Sequence, residues 1–168
     1  QEMVLDNLSP MALKVKRVVV PILENHNAVG SSDGNVKRAI TVFKAWSGNH
    51  GEDEIAPSIY HEFLYHFLVE AVMDELGEDL FRVFLRTKVL DWSIPSILSN
   101  QASKWWDNVE TNEQMETRED IIASAWLKAV GVLGKKFGPD INDWRWEEFH
   151  TVEHVHVIGR QKPFDRIF

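Results

Sequence analysis

The chain contains no cysteine, so it has neither a disulfide framework nor thiolate chemistry, and that absence fits a reducing or an oxidising compartment equally well. Its longest wholly apolar run, Val18 to Leu23, is far too short to cross a bilayer, and no signal-peptide pattern is present. Basic charge is scarce: 18 Lys and Arg stand against 26 Asp and Glu, for a net charge of −8. The cations are scattered rather than gathered on one face, which excludes a phosphate-tracking nucleic-acid surface. There is no P-loop, no dinucleotide fingerprint, no G-x-S-x-G elbow and no recognisable Ser–His–Asp order. Period-two alternation is missing until the last twenty residues.

What is present is aromatic and helical. With 168 residues, a 44% apolar fraction, seven Trp and nine Phe, the chain has enough apolar material for one well-cored domain. Pro57 to Gly77 is the organising stretch. Ile59, Phe63 and Phe67 fall on one helical line, Tyr60, Leu64, Leu68, Ala71 and Met73 broaden it, and Val69, Val72 and Leu76 nearly close the ring. A helix apolar on most sides belongs inside other elements. Pro57 suits its first turn and Gly77 its left-handed close.

Around it the spacing predicts helices near 10–24, 35–47, 78–86 and 118–136. Ser9-Pro10 starts the first, and Pro21 predicts a kink or early end there. Residues 24–34, polar and rich in Gly and Ser, read as a mobile connection, with Asn35 capping the next helix. Leu80, Phe81, Phe84 and Leu85 make a short amphipathic helix. Leu90 to Leu98 reads as two helical turns broken at Pro95, and Trp105-Trp106 as the edge of a short segment. Thr117 to Asp120 resembles a capping box with Asp in the last position, and Gly138-Pro139 stops the helix behind it. The expected core is Ile40, Phe43, Phe63, Leu64, Phe67, Leu68, Ile122, Trp126 and Leu133. Asp143 is placed to cap a turn of WRWEEF, after which His150 to Ile158 alternates as a strand, with His150, Val152, His154, His156 and Ile158 on one face. A lone strand needs a partner that this chain barely supplies. Together with a start at Gln1 and an end on Ile167-Phe168, that leads us to expect a piece of a longer polypeptide. The division is a helical region over 1–142, then a helical turn and strand over 143–168 leading back to a sheet that lies outside these residues.

Three histidine and acidic patterns invite a metal, and none is complete. His61 and His66 come close to a zinc-protease helix, but ligands must lie four apart to share a face and these lie five apart, roughly 140° around the axis. His150, His154 and His156 share a strand face with no carboxylate or thiol poised to finish a shell. Glu52-Asp53-Glu54 lacks the ordered alternation of a calcium loop. We therefore expect no metal and no cofactor. Without a family, the chain reads as a helical binding or interaction module.

Three separated stretches resemble the penicillin amidase (penicillin acylase) family of N-terminal-nucleophile hydrolases. Leu5-Asp6-Asn7-Leu8-Ser9-Pro10-Met11-Ala12 is similar to its Asp-x-x-Ser-x-x-Ala segment. Ala45-Trp46-Ser47-Gly48, followed by Ala56-Pro57-Ser58-Ile59-Tyr60 and Phe63, is similar to L-x-x-W-x-G … A-P-x-L/I-Y-x-x-F. Trp144-Arg145-Trp146 with His150, His156, Phe164 and Phe168 is similar to W-x-W-G-x-x-H … H-P … F-N, although Glu147 replaces the usual Gly and Val157 the usual Pro. Their order covers nearly the whole chain. The resemblance implies a mainly α fold, an irregular helical domain with a short C-terminal β segment, as part of a larger α+β enzyme. It implies the helical part of the large (β) subunit of a periplasmic or secreted, autoproteolytically matured acylase acting on a linear amide such as a β-lactam side chain or other N-acyl compound. Its partners would be the α subunit and the catalytic part of the β subunit, with no nucleic acid and no membrane. The family nucleophile is a terminal hydroxyl or thiol residue whose own amine serves as base. Gln1 has neither group, and the oxyanion Asn would fall upstream, so no catalytic residue carries over; the calcium site too is expected mostly elsewhere. Trp144, Trp146 and His150, where helix gives way to strand, are the candidates either to wall the acyl pocket or to seal the seam between helical and sheet layers.

Overall fold

A computed structural model describes residues 7–107 and 115–151. In these the chain is helical: α1 (Pro10–Asn25), α2 (Asn27–Gly30), α3 (Gly34–Ala45), α4 (Ala56–Phe84), α5 (Val89–Ser99), a 3-10 turn (Lys104–Trp106), α6 (Arg118–Phe137), a second 3-10 turn (Ile141–Asp143) and α7 (Trp146–Phe149). No strand occurs among the described residues, only an isolated antiparallel bridge between Leu8 and Asn49. The alternating segment after Thr151, including His154 and His156, lies outside them. The fold is mainly α, as the apolar periods predict.

α4 lies chiefly along α6, with α3, α7 and the first 3-10 turn against its other sides, while α1 packs across α3, α5 and α6. Its residues Ile59, Phe63, Phe67 and Ala71 are wholly buried. The contact with α6 is aromatic: Trp126 stands 5.3 Å from Phe43 of α3 and 5.7 Å from Phe63 of α4, centroid to centroid. Phe67 continues the line towards Trp106 at 6.0 Å. All nine expected core residues are buried, none more than 7% exposed. The Trp126 Nε1 donor is buried without a hydrogen-bond partner, a cost that its fully buried indole offsets through packing.

Termini of the helices follow local chemistry. The Ser9 hydroxyl accepts from Ala12 N at 3.2 Å. Thr117 and Asp120 complete a reciprocal capping box, in which the Thr117 hydroxyl, first among several contacts, holds the Asp120 carboxyl below its ordinary range. Gly138, at φ 98°, ends α6, and Gly77, at φ 71° and ψ 160°, breaks α4 into two helical pieces, both where a left-handed backbone favours glycine. Lys16 of α1 reaches over the end of α3, donating to the carbonyls of Lys44 and Trp46, so one helix caps another.

Six expectations need correction. α1 runs through Pro21 to Asn25; Pro21 is exposed while Val19, Val20 and Leu23 are buried, so burial on either side outweighs the one lost hydrogen bond. α5 passes Pro95 in the same way, held by buried Ile94 and Leu98. The connection over 24–34 is not a plain loop, since it contains α2 with Val29 buried. Asp33, not Asn35, caps α3, accepting from Asn35 N and Val36 N; two residues of extended backbone put its carboxylate over the first turn. Asp143 caps nothing: α7 follows Arg145 with no side-chain cap, because its first N–H is taken by a distant loop. In the helical piece after Gly77, Phe81 is buried whereas Leu80 is 61% exposed.

Phe67→Ala, deleting a wholly buried ring from the α4 centre, should destabilise the protein by about 3–5 kcal/mol. Denaturant unfolding of parent and variant measures this, and a change under about 1 kcal/mol would show that the site collapses or that α4 is not enclosed.

Candidate functional site

At the end of α3 the chain turns sharply and is zipped to the N-terminal segment. Gly48 at φ 91° makes the turn, Ser9 N donates to Gly48 O at 2.9 Å, and His50 N donates to Asn7 O at 3.1 Å. A Cβ at Gly48 would approach Leu13 within 3.2 Å and Ser9 O within 3.3 Å, so both space and backbone call for glycine. The Trp46 indole N–H donates to Asn49 O at 2.6 Å. The His50 ring is thereby fixed against the start of α4.

Residues 52–54 then act as a receiving edge. Trp146 N donates to Glu54 O at 2.8 Å, and Glu147 N to Glu52 O at 3.1 Å. This acidic stretch, read from sequence as a solvated turn, exposes its side chain at Asp53 while its carbonyls hold α7. Arg145 adds ion pairs to Asp53 at 3.5 Å and Glu147 at 2.8 Å, partly exposed contacts of small energetic weight. On the other side Phe149 is clasped by α6, with Lys136 Nζ 4.9 Å above its ring and Phe137 at 6.4 Å.

The result is a cluster of stacked rings. His61, in the second turn of α4, stacks on Trp146 with centroids 4.9 Å apart and planes 24° apart. Trp146 stacks on His150 at 4.7 Å and 15° and on Phe149 at 5.7 Å. His50 meets the indole edge-on at 5.4 Å, and its Nε2 lies 3.1 Å from His61 Nε2. The protons can be placed by elimination. His50 Nδ1 faces two carbonyls, Asn7 O at 3.1 Å and Gly48 O at 3.2 Å, which only accept. Nδ1 is therefore the donor, Nε2 of the neutral ring is the acceptor, and His61 donates to it from Nε2. Burial, reinforced by the neighbouring His50 and then His150, pushes the His61 imidazole down from 6.5 to about 4.

Of the residues singled out from sequence, Trp146 and His150 are brought together here. Trp144 goes elsewhere: it is wholly buried, its indole N–H donates to Gly138 O at 3.0 Å, and its ring lies against Gly134 of α6. His61 and His66 face different surroundings, as their spacing requires; His66 Nε2 lies 3.1 Å from Glu62 Oε1 without hydrogen-bond alignment. Sequence reading missed His50 altogether and considered His61 only with His66. The two meet through a turn rather than a repeat, so no periodicity marks them. A separate cleft of about 870 Å³ lies beside Trp106, lined in part by Glu75, Ser103, Lys104 and Met115. Burial first, then a hydrogen bond that the protonated acid donates to Asp74 and the charge of Asp74, raises the Glu75 carboxyl from 4.5 to about 7.

Compared with known families, the chain matches the model described as penicillin amidase over residues 1–167. No curated protein and no solved structure matches it.

The depressed His61 value has a definite sign. Below about 6.5 the unfolded chain takes up a proton that folded His61 refuses until about 4, so this group supports the fold above that window and the support is lost as pH falls through it. Glu75, raised to about 7, works in the opposite sense, contributing below its ordinary value and losing that contribution as pH rises. The comparison of parent with His61→Gln isolates the histidine. In chelator-treated protein the parent should lose on the order of 2 kcal/mol more than the variant between pH 7 and pH 4; superimposable pH–stability profiles would refute the assignment.

Proposed function

The chain belongs to the penicillin amidase family, and on that premise we propose that it forms the helical part of an acylase that hydrolyses a linear amide bond. The observation that carries this reading is the reach of the family match, from residue 1 to residue 167. In our reading these residues contribute support rather than the reacting groups. Amide hydrolysis of this type needs a nucleophile, a base beside it, and donors aimed at the developing oxyanion, all converging within about 3 Å of one carbonyl. No Ser or Thr hydroxyl among the described residues hydrogen-bonds to a histidine: His50 bonds to carbonyls and to His61, and His26 to Asp120. The Ser58 hydroxyl is fully buried with no partner.

The partners of this reading are the remaining α and β parts of the same precursor and a small acyl-amide substrate. Nothing in it calls for a cofactor in the reacting step, for nucleic acid or for a membrane; no helix among the described residues is long and apolar enough to cross one. Trp146 and His150 take the seam between this helical body and the catalytic layer, with wholly buried Trp144 anchoring their segment beneath α6. The packing of α7 between the 52–54 carbonyls and Phe137 supports a positioning role, since these contacts fix the backbone from Trp146 to His150.

A chromogenic acyl-amide assay tests this on two proteins, the 168 residues alone and the longer protein that contains them. The expected outcome is turnover by the longer protein and none by the shorter. Turnover by the 168 residues would place a complete site within them and overturn the proposal, while silence from both would favour the helical interaction module. In an active longer protein, Trp146→Ala should lower stability and leave the relative KM values for short and long acyl chains unchanged; a shift of acyl preference of tenfold or more, about 1.4 kcal/mol, would instead put the indole in the acyl pocket.

A further inference from the structure

Two imidazoles that face each other through their Nε2 atoms are also a pair of nitrogen ligands. Zinc binds imidazole nitrogen at about 2.0–2.1 Å. With His50 Nε2 and His61 Nε2 separated by 3.1 Å, one ion bound to both at that length would subtend an angle of about 98°, between the cis angle of an octahedron and the tetrahedral angle. The geometry points to His50 and His61 as an open two-imidazole seat for a divalent first-row transition ion, zinc being the simplest case, with water completing its shell.

The surroundings are already those of a ligand pair. A metal-bound histidine nearly always donates its other ring N–H to a carbonyl, carboxylate or water, which fixes its tautomer and orientation. His50 Nδ1 does so now, towards Asn7 O and Gly48 O, and leaves the Nε2 lone pair directed at His61, whose N–H it accepts. For the ion to enter, the two rings, now nearly head-on with centroids 5.3 Å apart, turn slightly and the His61 proton moves from Nε2 to Nδ1, so that both Nε2 lone pairs face the metal. Its ring is steadied by Trp146 on one side and Tyr60, 5.0 Å away, on another. His150 reaches the cluster through the indole rather than through His61, so it is not counted as a ligand. Among the described residues no third His, Cys, Asp or Glu joins the pair, which makes the seat open and exchangeable rather than a closed structural centre. Nitrogen donors select zinc, nickel or copper over calcium and magnesium, which require oxygen. An ion here would tie the 48–50 turn to α4 and so brace the stack that receives α7. The pair thus departs from the expectation that the chain holds no metal, an expectation that weighed His61 only against His66.

The test is calorimetric titration of chelator-stripped, full-length protein with zinc chloride, beside His50→Gln, His61→Gln and a control, His66→Gln. One zinc per chain should bind to the parent and the control, raise their melting midpoint, and bind at least tenfold more weakly to each of the other two variants; calcium chloride should produce none of this. Circular dichroism confirms that each variant is folded. For a variant that is not folded, cobalt substitution in the parent decides instead, imidazole ligation giving visible absorption that oxygen-only ligation does not reproduce. Zinc affinity unchanged in both variants, or no zinc bound by the parent at micromolar concentrations, would show an adventitious ion only or a plain hydrogen-bonded pair, and would overturn the proposal.

Discussion

Everything in this structure depends on covering α4. Its first piece is apolar on most sides, so other elements must cover it. α6 lies along it, and the indole of Trp126 fills the angle between Phe43 and Phe63. Burying aromatic side chains of that size removes far more apolar surface than an aliphatic contact would, and the ring contacts fix the distance of α3 and α6 from the central helix. α1 packs across α3 and α6, and Lys16 seals the end of α3.

The same constraint explains why two prolines fail to break their helices. An isolated helix with Pro21 inside would end or bend, because it loses a hydrogen bond and crowds the preceding turn. In α1 the residues on either side of Pro21 are committed to the core, and the ring itself faces solvent. Tertiary burial of Val19, Val20 and Leu23 is worth several kcal/mol, more than the local loss, so the helix continues. Glycines are different, since Gly77 and Gly138 take left-handed backbone where no burial opposes it, and there the local signal and the structure agree.

Legibility therefore divides by range. Capping at Ser9 and at Thr117–Asp120, the burial of all nine core residues, and the stops at Gly77 and Gly138 were readable because each depends on residues within one or two turns. The choice of Asp33 over Asn35 was not, since both residue types cap well and the decision lies in where the chain enters. The ring cluster was least legible. Trp146 and His150 could be named because they lie in one turn, but their partners are supplied by a bend eleven residues before His61 and by carbonyls of an acidic stretch that looks merely soluble.

That cluster also shows why two histidines are placed together at the edge of an apolar body. A charged imidazolium buried beside a second one would be doubly penalised, by desolvation and by repulsion, and burial is the leading cause of the depressed His61 value. The rings instead share one hydrogen-bond direction, from His61 to His50 to the Asn7 and Gly48 carbonyls. This arrangement requires His50 to hold its tautomer, which requires the turn at Gly48, which requires the N-terminal segment to lie alongside. The chain's first described residues and its last are thus joined through one hydrogen-bonded line and one indole. A body built that way holds Trp146 and His150 against the start of α4 in orientations that the turn at Gly48 and the 52–54 carbonyls have already determined.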